Sequence, residues 1–461
     1  MMVNLIKRNY FFILLLPILI NFLTNLNDGN YKFEYLTQYD LISSLLIFLY
    51  FFLIGYGFKL INKKMTITIG IISYLISFFL VETISLFFYK DMNLSITFIV
   101  TNFLWFIYYL IYLKNRLVLS AIILSYLTMY IFNNQNINLM TINVNLTMDV
   151  LNIFNPNTAS IYDNSYIYSV SNSEMLGYPQ FMSYIDALIF KISYGLSNYR
   201  FILSSSFIFY WLKLLLFFEL KTSKNNKIFI CLFFTLLIIN STWLQFLFTS
   251  SLMSERIAGY LLAGILTTLF RIDNGSYFEI SFIFFILSFV YNTKQFFSLI
   301  TLILFLFFLF TKKYKNSSIF ILSSFVITEI SYLTYFSEIP RDHHIQQIDI
   351  LDTIMDLFLL RDLNFGNIFQ IFKNIFIDKP MTYLLIVTFV SYIYAIYMKK
   401  VNFELNLYFL TITLNIIFVF LLYISVWREM ELESPVRYIY SFLAMYFVII
   451  SKCYKFQKES E

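Results

Sequence analysis

Residues 66–87 read TITIGIISYLISFFLVETISLF, twenty-two positions with one charged side chain, Glu82, and no proline. They follow Lys59, Lys63 and Lys64. About 20 consecutive apolar residues are what a helix needs to cross the hydrocarbon of a bilayer. Clustered lysines ahead of such a run mark its cytoplasmic edge. Working outward, runs of the same kind recur near 10–26, 41–61, 95–113, 117–132, 200–220, 227–247, 255–271, 276–291, 295–311, 318–336, 381–398, 404–426 and 437–451. With 66–87 they make fourteen expected spans. The first follows Lys7 and Arg8 but is long and lacks a small-residue cleavage site, so it reads as an anchor and not as a signal peptide.

Composition agrees. Of 461 residues, 59% are hydrophobic, 21% aromatic and only 13% charged. Soluble domains carry roughly 25% charged residues, so this chain cannot cover its own surface in water. Ten glycines and six prolines exclude fibrous and disordered classes, and two cysteines exclude a disulfide scaffold. The expected class is an all-α polytopic membrane protein.

Charge sets the orientation. With the N-terminus cytoplasmic, the inner turns hold Lys7, Arg8, Lys59, Lys63, Lys64, Lys114, Arg116, Lys221, Lys224, Lys227, Arg271, Lys312, Lys313, Lys315, Lys399, Lys400, Lys452, Lys455 and Lys458. Basic residues thus occur at every inner turn, as the positive-inside rule requires, and both termini are expected in the cytoplasm. The net charge of +5 is inner-leaflet anchoring, not a nucleic-acid footprint. Cys231 and Cys453 fall on the inner side and read as free apolar thiols. One apolar stretch, 179–194, would invert every later loop if it crossed. It carries Asp186 and Lys191 with helical apolar spacing, and reads as an amphipathic helix lying on the outer membrane face.

Two outer loops, 133–199 and 337–380, are too long to be connectors. From Asn133 to Phe190 the first has no Lys or Arg, but it has Asp149, Asp163, Glu174 and Asp186. A carboxylate held there is suited to act as general base on an acceptor hydroxyl or amine. The plain alternative is a solvated acidic loop. In the second loop Arg341 precedes Asp342, His343 and His344, and residues 346–361 alternate apolar and acidic positions like a helix on the membrane surface. No zinc spacing and no tight carboxylate cluster calls for a metal.

Tyr178-Pro179-Gln180-Phe181, Tyr184, Ala187-Leu188, Phe190-Lys191 and Gly195, followed by Arg200 opening a span, resemble a stretch of the GT-C integral-membrane glycosyltransferases of the protein-mannosyltransferase and aminoarabinose-transferase type. Three further pieces follow in that family's order: Ser254-Glu255-Arg256, Asn292-Thr293-Lys294-Gln295, and Glu433-Ser434-Pro435-Val436-Arg437-Tyr438. Together they cover about residues 145–440. The family has a Tyr-Pro-Pro start where this chain has Gln180, and four extra spans precede the first long loop.

The resemblance implies transfer of a sugar from a polyprenyl-phosphate donor to a lipid, glycan or protein acceptor on the extracytoplasmic face, with no cofactor. It gives Asp149 the role of base, and Lys294, Arg437 and Arg256 the donor phosphate. Tyr178, Glu174, Glu255 and Arg341 would line the cleft, with Tyr166 and Tyr168 stacking nearby. If the family's first span corresponds to 10–26, the base is instead among Asp28, Glu34 and Asp40. For Lys294 and Arg437 the plain alternative is snorkelling at helix ends. The implied organisation is a five-helix membrane segment (1–132), a GT-C-like core with the catalytic loop (133–336), an outer loop (337–380), and C-terminal helices with a basic tail (381–461). Two other classes stay open. One is a surface-polysaccharide polymerase or ligase. The other is a transporter or lipid flippase, for which Glu82, Lys213, Glu279 and Glu329 are the ionisable groups within spans.

Overall fold

The computed structural model describes residues 38–88, 94–133, 181–192, 200–220, 224–240, 255–272, 275–290, 293, 295–327, 330, 366–425 and 435–453. These are helical, with no strand among the described residues. In chain order the helices are α1 (Gln38–Ile61), α2 (Ile67–Phe88), α3 (Leu94–Tyr112), α4 (Arg116–Asn133), α5 (Phe181–Ile192), α6 (Arg200–Glu219), α7 (Lys224–Asn240), α8 (Glu255–Arg271), α9 (Tyr277–Ser288) and α10 (Gln295–Phe310). A 3-10 turn at Ser318–Leu322 follows. Then come α11 (Gly366–Ile377), α12 (Lys379–Tyr397), α13 (Phe403–Ser425), α14 (Pro435–Tyr440) and α15 (Leu443–Cys453).

Four stretches are long and apolar enough to cross a membrane: Ser44–Ile61, Ile67–Ser85, Lys379–Tyr397 and Phe403–Leu421. The first of these pairs with the second where two glycines meet. A Cβ on Gly70 would stand 2.9 Å from the Gly55 Cα, so only bare backbone lets α1 and α2 approach so closely. α2 is the most enclosed of the four and α12 the most open. The open face of α12 carries Tyr383, Ile386, Val390, Ile393 and Tyr397, all exposed. A water-soluble surface rarely shows so long an apolar stripe; lipid is its natural solvent.

Side-chain contacts divide the bundle into two poles. At one, Lys59 meets Glu219 (3.4 Å), Lys64 meets Glu279 (3.3 Å) and Lys452 meets Glu404 (2.5 Å) in ion pairs. Thr66 bonds Thr268 (2.7 Å) and Thr267 bonds Tyr408 (2.8 Å) at the same pole. These contacts join the end of α1, the start of α2, the end of α6, the end of α8 and the starts of α9 and α13. Each is a helix end assigned to the basic side by the sequence. At the far pole, Thr97 at the start of α3 meets Glu82 near the end of α2, and Asn367 at the start of α11 meets Tyr423 near the end of α13.

Several expectations change. The window 437–451 is not one helix. It breaks at Ser441–Phe442 between α14 and α15, and Asn415 donates to the Tyr438 carbonyl near the break (3.2 Å). The window 276–291 yields only the twelve-residue α9, and 318–336 opens with the 3-10 turn. Residues 179–194 do contain a helix, α5, but it does not lie open on a membrane face. Phe181, Ser183, Tyr184, Ile185, Asp186, Ala187, Leu188 and Ile189 are all buried, because α5 is wedged against α2, α3, α4 and α6. Its amphipathic pattern suits either lipid or protein as the apolar neighbour, and protein is what surrounds it. Cys231 and Cys453 are free and buried.

Candidate functional site at the far pole

The first ring of α5 is the starting point. The Phe181 ring packs, tilted by 50°, 6.2 Å from that of Phe289, which directly follows α9, and Phe79 of α2 lies edge-on to both, at 5.3 and 6.0 Å. Tyr178 stands three residues before Phe181, and Lys294 five residues after Phe289. The aromatic contact holds the start of α5 against the end of α9. Thr293 is buried and donates to the Val290 carbonyl (2.7 Å), tightening the turn before Lys294.

Beneath the rings lies a carboxylate. Glu82, one turn beyond Phe79, is fully buried and accepts the Thr97 hydroxyl at 2.6 Å. Tyr184 of α5 packs on Phe79 and reaches the Phe78 carbonyl (3.4 Å). Burying a carboxylate at membrane depth is costly unless it is hydrogen-bonded or has a task. Asp186, on the same short helix as Tyr184, is also fully buried.

A second group of elements meets around α14. Gly259 of α8 faces the Ser441 carbonyl so closely that any Cβ there would collide with it. Glu255 and Arg256 form the first turn of α8, one turn before Gly259, and Arg437 is the third residue of α14. Both helices begin at the far pole, so their first turns share it. Asp378, between α11 and α12, is buried; its Oδ1 accepts the Tyr440 hydroxyl (2.9 Å) and the Met381 N–H (3.1 Å).

Cations recur at helix starts here. Arg200 opens α6, Arg256 is second in α8, Lys294 immediately precedes α10, Lys379 opens α12, and Arg437 is third in α14. The N-terminal end of a helix already carries about half a positive charge. A cation at that end therefore adds to local positive potential instead of cancelling it. At the basic pole the pattern is mixed: α4 and α7 open on Arg116 and Lys224, whereas Glu219 faces the start of α2, Glu279 lies in the first turn of α9, and Glu404 in that of α13. Cations thus stand at several helix starts of the far pole, with the carboxylates of Glu82 and Asp378 buried near it.

Of the residues expected to form the site, Asp149, Glu174, Tyr178, Lys294 and Arg341 lie outside the described residues, as do Tyr166, Tyr168, Asp28 and Glu34, the histidine pair, and the whole of 346–361. Glu255, Arg256 and Arg437 lie on α8 and α14 as stated. The sequence reading gave no role to Asp378, Tyr440 or Asn415. For Asp378 a signal existed: Asp378-Lys379-Pro380 is the signature of a helix cap followed by proline in the first turn. Among the described residues no group of three or more His, Cys, Asp or Glu is arranged to hold a metal ion. No protein-family model, no curated protein and no solved structure matches the chain.

Proposed function

We propose that the protein is an inverting membrane glycosyltransferase of the GT-C kind, with fourteen spans and its active face extracytoplasmic. It would move a sugar from a polyprenyl-phosphate donor to a lipid, glycan or protein acceptor. The observation that carries this reading is the gathering of cation-bearing helix starts at the pole opposite the basic one, beside the helix that follows Tyr178-Pro179. A lipid phosphate is the kind of anion such a pole attracts: helix N-termini bind phosphate through their free N–H groups, arginine adds bidentate contacts and lysine a point charge.

In this reading the Asp149 carboxylate takes the proton from the acceptor as its oxygen or nitrogen bonds to the anomeric carbon. Polyprenyl phosphate departs with the electron pair of the glycosidic bond. Its developing charge is met by Arg256, Lys294 and Arg437, in a site where water is scarce and fixed charges count for more. Glu174, Tyr178, Glu255 and Arg341 shape the cleft around sugar and acceptor. The test is reconstitution with a radiolabelled polyprenyl-phosphate sugar, reading the release of polyprenyl phosphate. Asp149→Asn should abolish release while leaving expression intact; an active variant would remove Asp149 from the mechanism.

A second reading, a transporter or lipid flippase, draws support from Glu82 and Lys213, both buried within helices. It expects protein-dependent movement of labelled lipid across vesicles with no change in the sugar bond, which the same reconstitution separates from transfer.

A further inference from the structure

A six-residue helix such as α14 has no stability of its own, since isolated helices shorter than about 12 residues are marginal even in favourable sequences. Its position is therefore set by what holds it. Three fastenings are visible: Asn415 Nδ2 on the Tyr438 carbonyl (3.2 Å), the bare backbone of Gly259 against Ser441, and the Tyr440 hydroxyl on Asp378 Oδ1 (2.9 Å). The third differs from the others in what it connects. Asp378 ends α11, the last helix before α12 enters the bundle, and the same oxygen caps α12 through Met381 N (3.1 Å). α11 packs on α14 and α13, and Asn367 ties it to the Tyr423 carbonyl (2.6 Å). The exit of the second long loop and the helix carrying Arg437 are thereby locked to one carboxylate.

We infer that Asp378 is a positioning residue for anion binding at Arg437. Through Tyr440 it fixes the orientation of α14, so that α11 and the helix carrying the donor-phosphate cation move as one piece. The inference rests on the reading of Arg437 as a phosphate ligand, and it adds a means by which the placement of α11 changes donor affinity.

The experiment uses the full chain in nanodiscs and measures the binding of farnesyl monophosphate, with farnesol as the uncharged control. Arg437→Ala should weaken phosphate binding at least tenfold and leave farnesol unchanged. Tyr440→Phe removes one hydrogen bond to a charged group, whose net worth corresponds to about a tenfold change, so binding of the phosphate should fall by roughly that factor. Asp378→Asn keeps an amide oxygen for both the Tyr440 hydroxyl and the Met381 N–H and loses only the charge, so its effect should be smaller than that of Tyr440→Phe. Combined with Arg437→Ala, neither should weaken binding further. If Arg437→Ala binds as the parent does, the phosphate reading itself fails. If Arg437→Ala is impaired but Tyr440→Phe binds normally, the positioning role alone is overturned. Equal losses for farnesol and its phosphate would also overturn it, since a merely structural defect does not discriminate between them.

Discussion

Glu219 and Ile67 lie 152 positions apart, yet the carboxylate at the end of α6 receives the first N–H of α2 at 2.6 Å. Its other oxygen takes the Thr68 N–H at 2.8 Å, and Lys59 approaches at 3.4 Å. One side chain thus satisfies two of the donors that every helix start leaves open and opposes the positive end of the dipole. The side chain is 1% exposed, so water cannot replace it.

Replacing this group should be costly. Glu219→Ala is expected to destabilise the protein by about 3 kcal/mol, the scale for leaving buried partners of a charged hydrogen-bonding group unpaired. Glu219→Gln, whose amide oxygen still accepts one N–H, should lose less. Denaturant or thermal unfolding in detergent measures both, and a Glu219→Ala protein as stable as the parent would remove the cap from the account.

Gly259→Ala should separate α8 from the break between α14 and α15, because its methyl group would meet the Ser441 carbonyl. The expected cost is about 2–3 kcal/mol, typical of overpacking against backbone that cannot yield. Gly57→Ala is the control. Its Cβ would meet only side-chain atoms, at 3.2 Å from Ile122 and Tyr109, so thermal unfolding should show a smaller effect there.

Asn102 is buried on α3, where its Oδ1 accepts the hydroxyls of both Tyr50 and Tyr74 (2.8 Å for Tyr74) and its Nδ2 donates to the Phe98 carbonyl. Asn102→Leu should cost about 2–4 kcal/mol, because it leaves two buried hydroxyls with only each other, at 3.3 Å, as partner. Adding Tyr50→Phe and Tyr74→Phe should recover part of that loss, since removing both sides of a buried hydrogen bond is close to neutral. A cycle of the single and combined variants reads the coupling directly; strict additivity would show that the three groups do not act together.

The sidedness of the two poles is open to labelling. A cysteine at Ser173, in the first long loop and outside the described residues, should react with an impermeant maleimide in intact cells. One at Lys400, at the basic pole, should react only after permeabilisation. Background is low because Cys231 and Cys453 are buried. The reverse pattern would invert the orientation and put the anion-attracting pole in the cytoplasm.

Much of the fold is legible because apolar run length and charge placement are local properties. The window 66–87 became Ile67–Phe88, and 255–271 became a helix over the same residues. Pairing of helix ends followed the alternation of lysines, as the Lys64–Glu279 contact illustrates. What escaped notice depends on neighbours. Nothing in FMSYIDALIFKI distinguishes a lipid surface from four packed helices. The apolar window 437–451 gives no hint of the turn at Ser441, which is accommodated by a glycine on another helix and an asparagine on a third. Of the candidate site, the fastening of Arg437's helix was not legible, because Asp378 and Tyr440 are joined only by tertiary structure.

The Glu219 cap also constrains how the chain is assembled. α2 is synthesised 152 residues before the carboxylate that completes its first turn. Until α6 is threaded into the bilayer, the opening hairpin holds two bare amide protons at the membrane edge and remains a provisional arrangement. Insertion of α6, not of α2, is therefore the event that closes the start of α2.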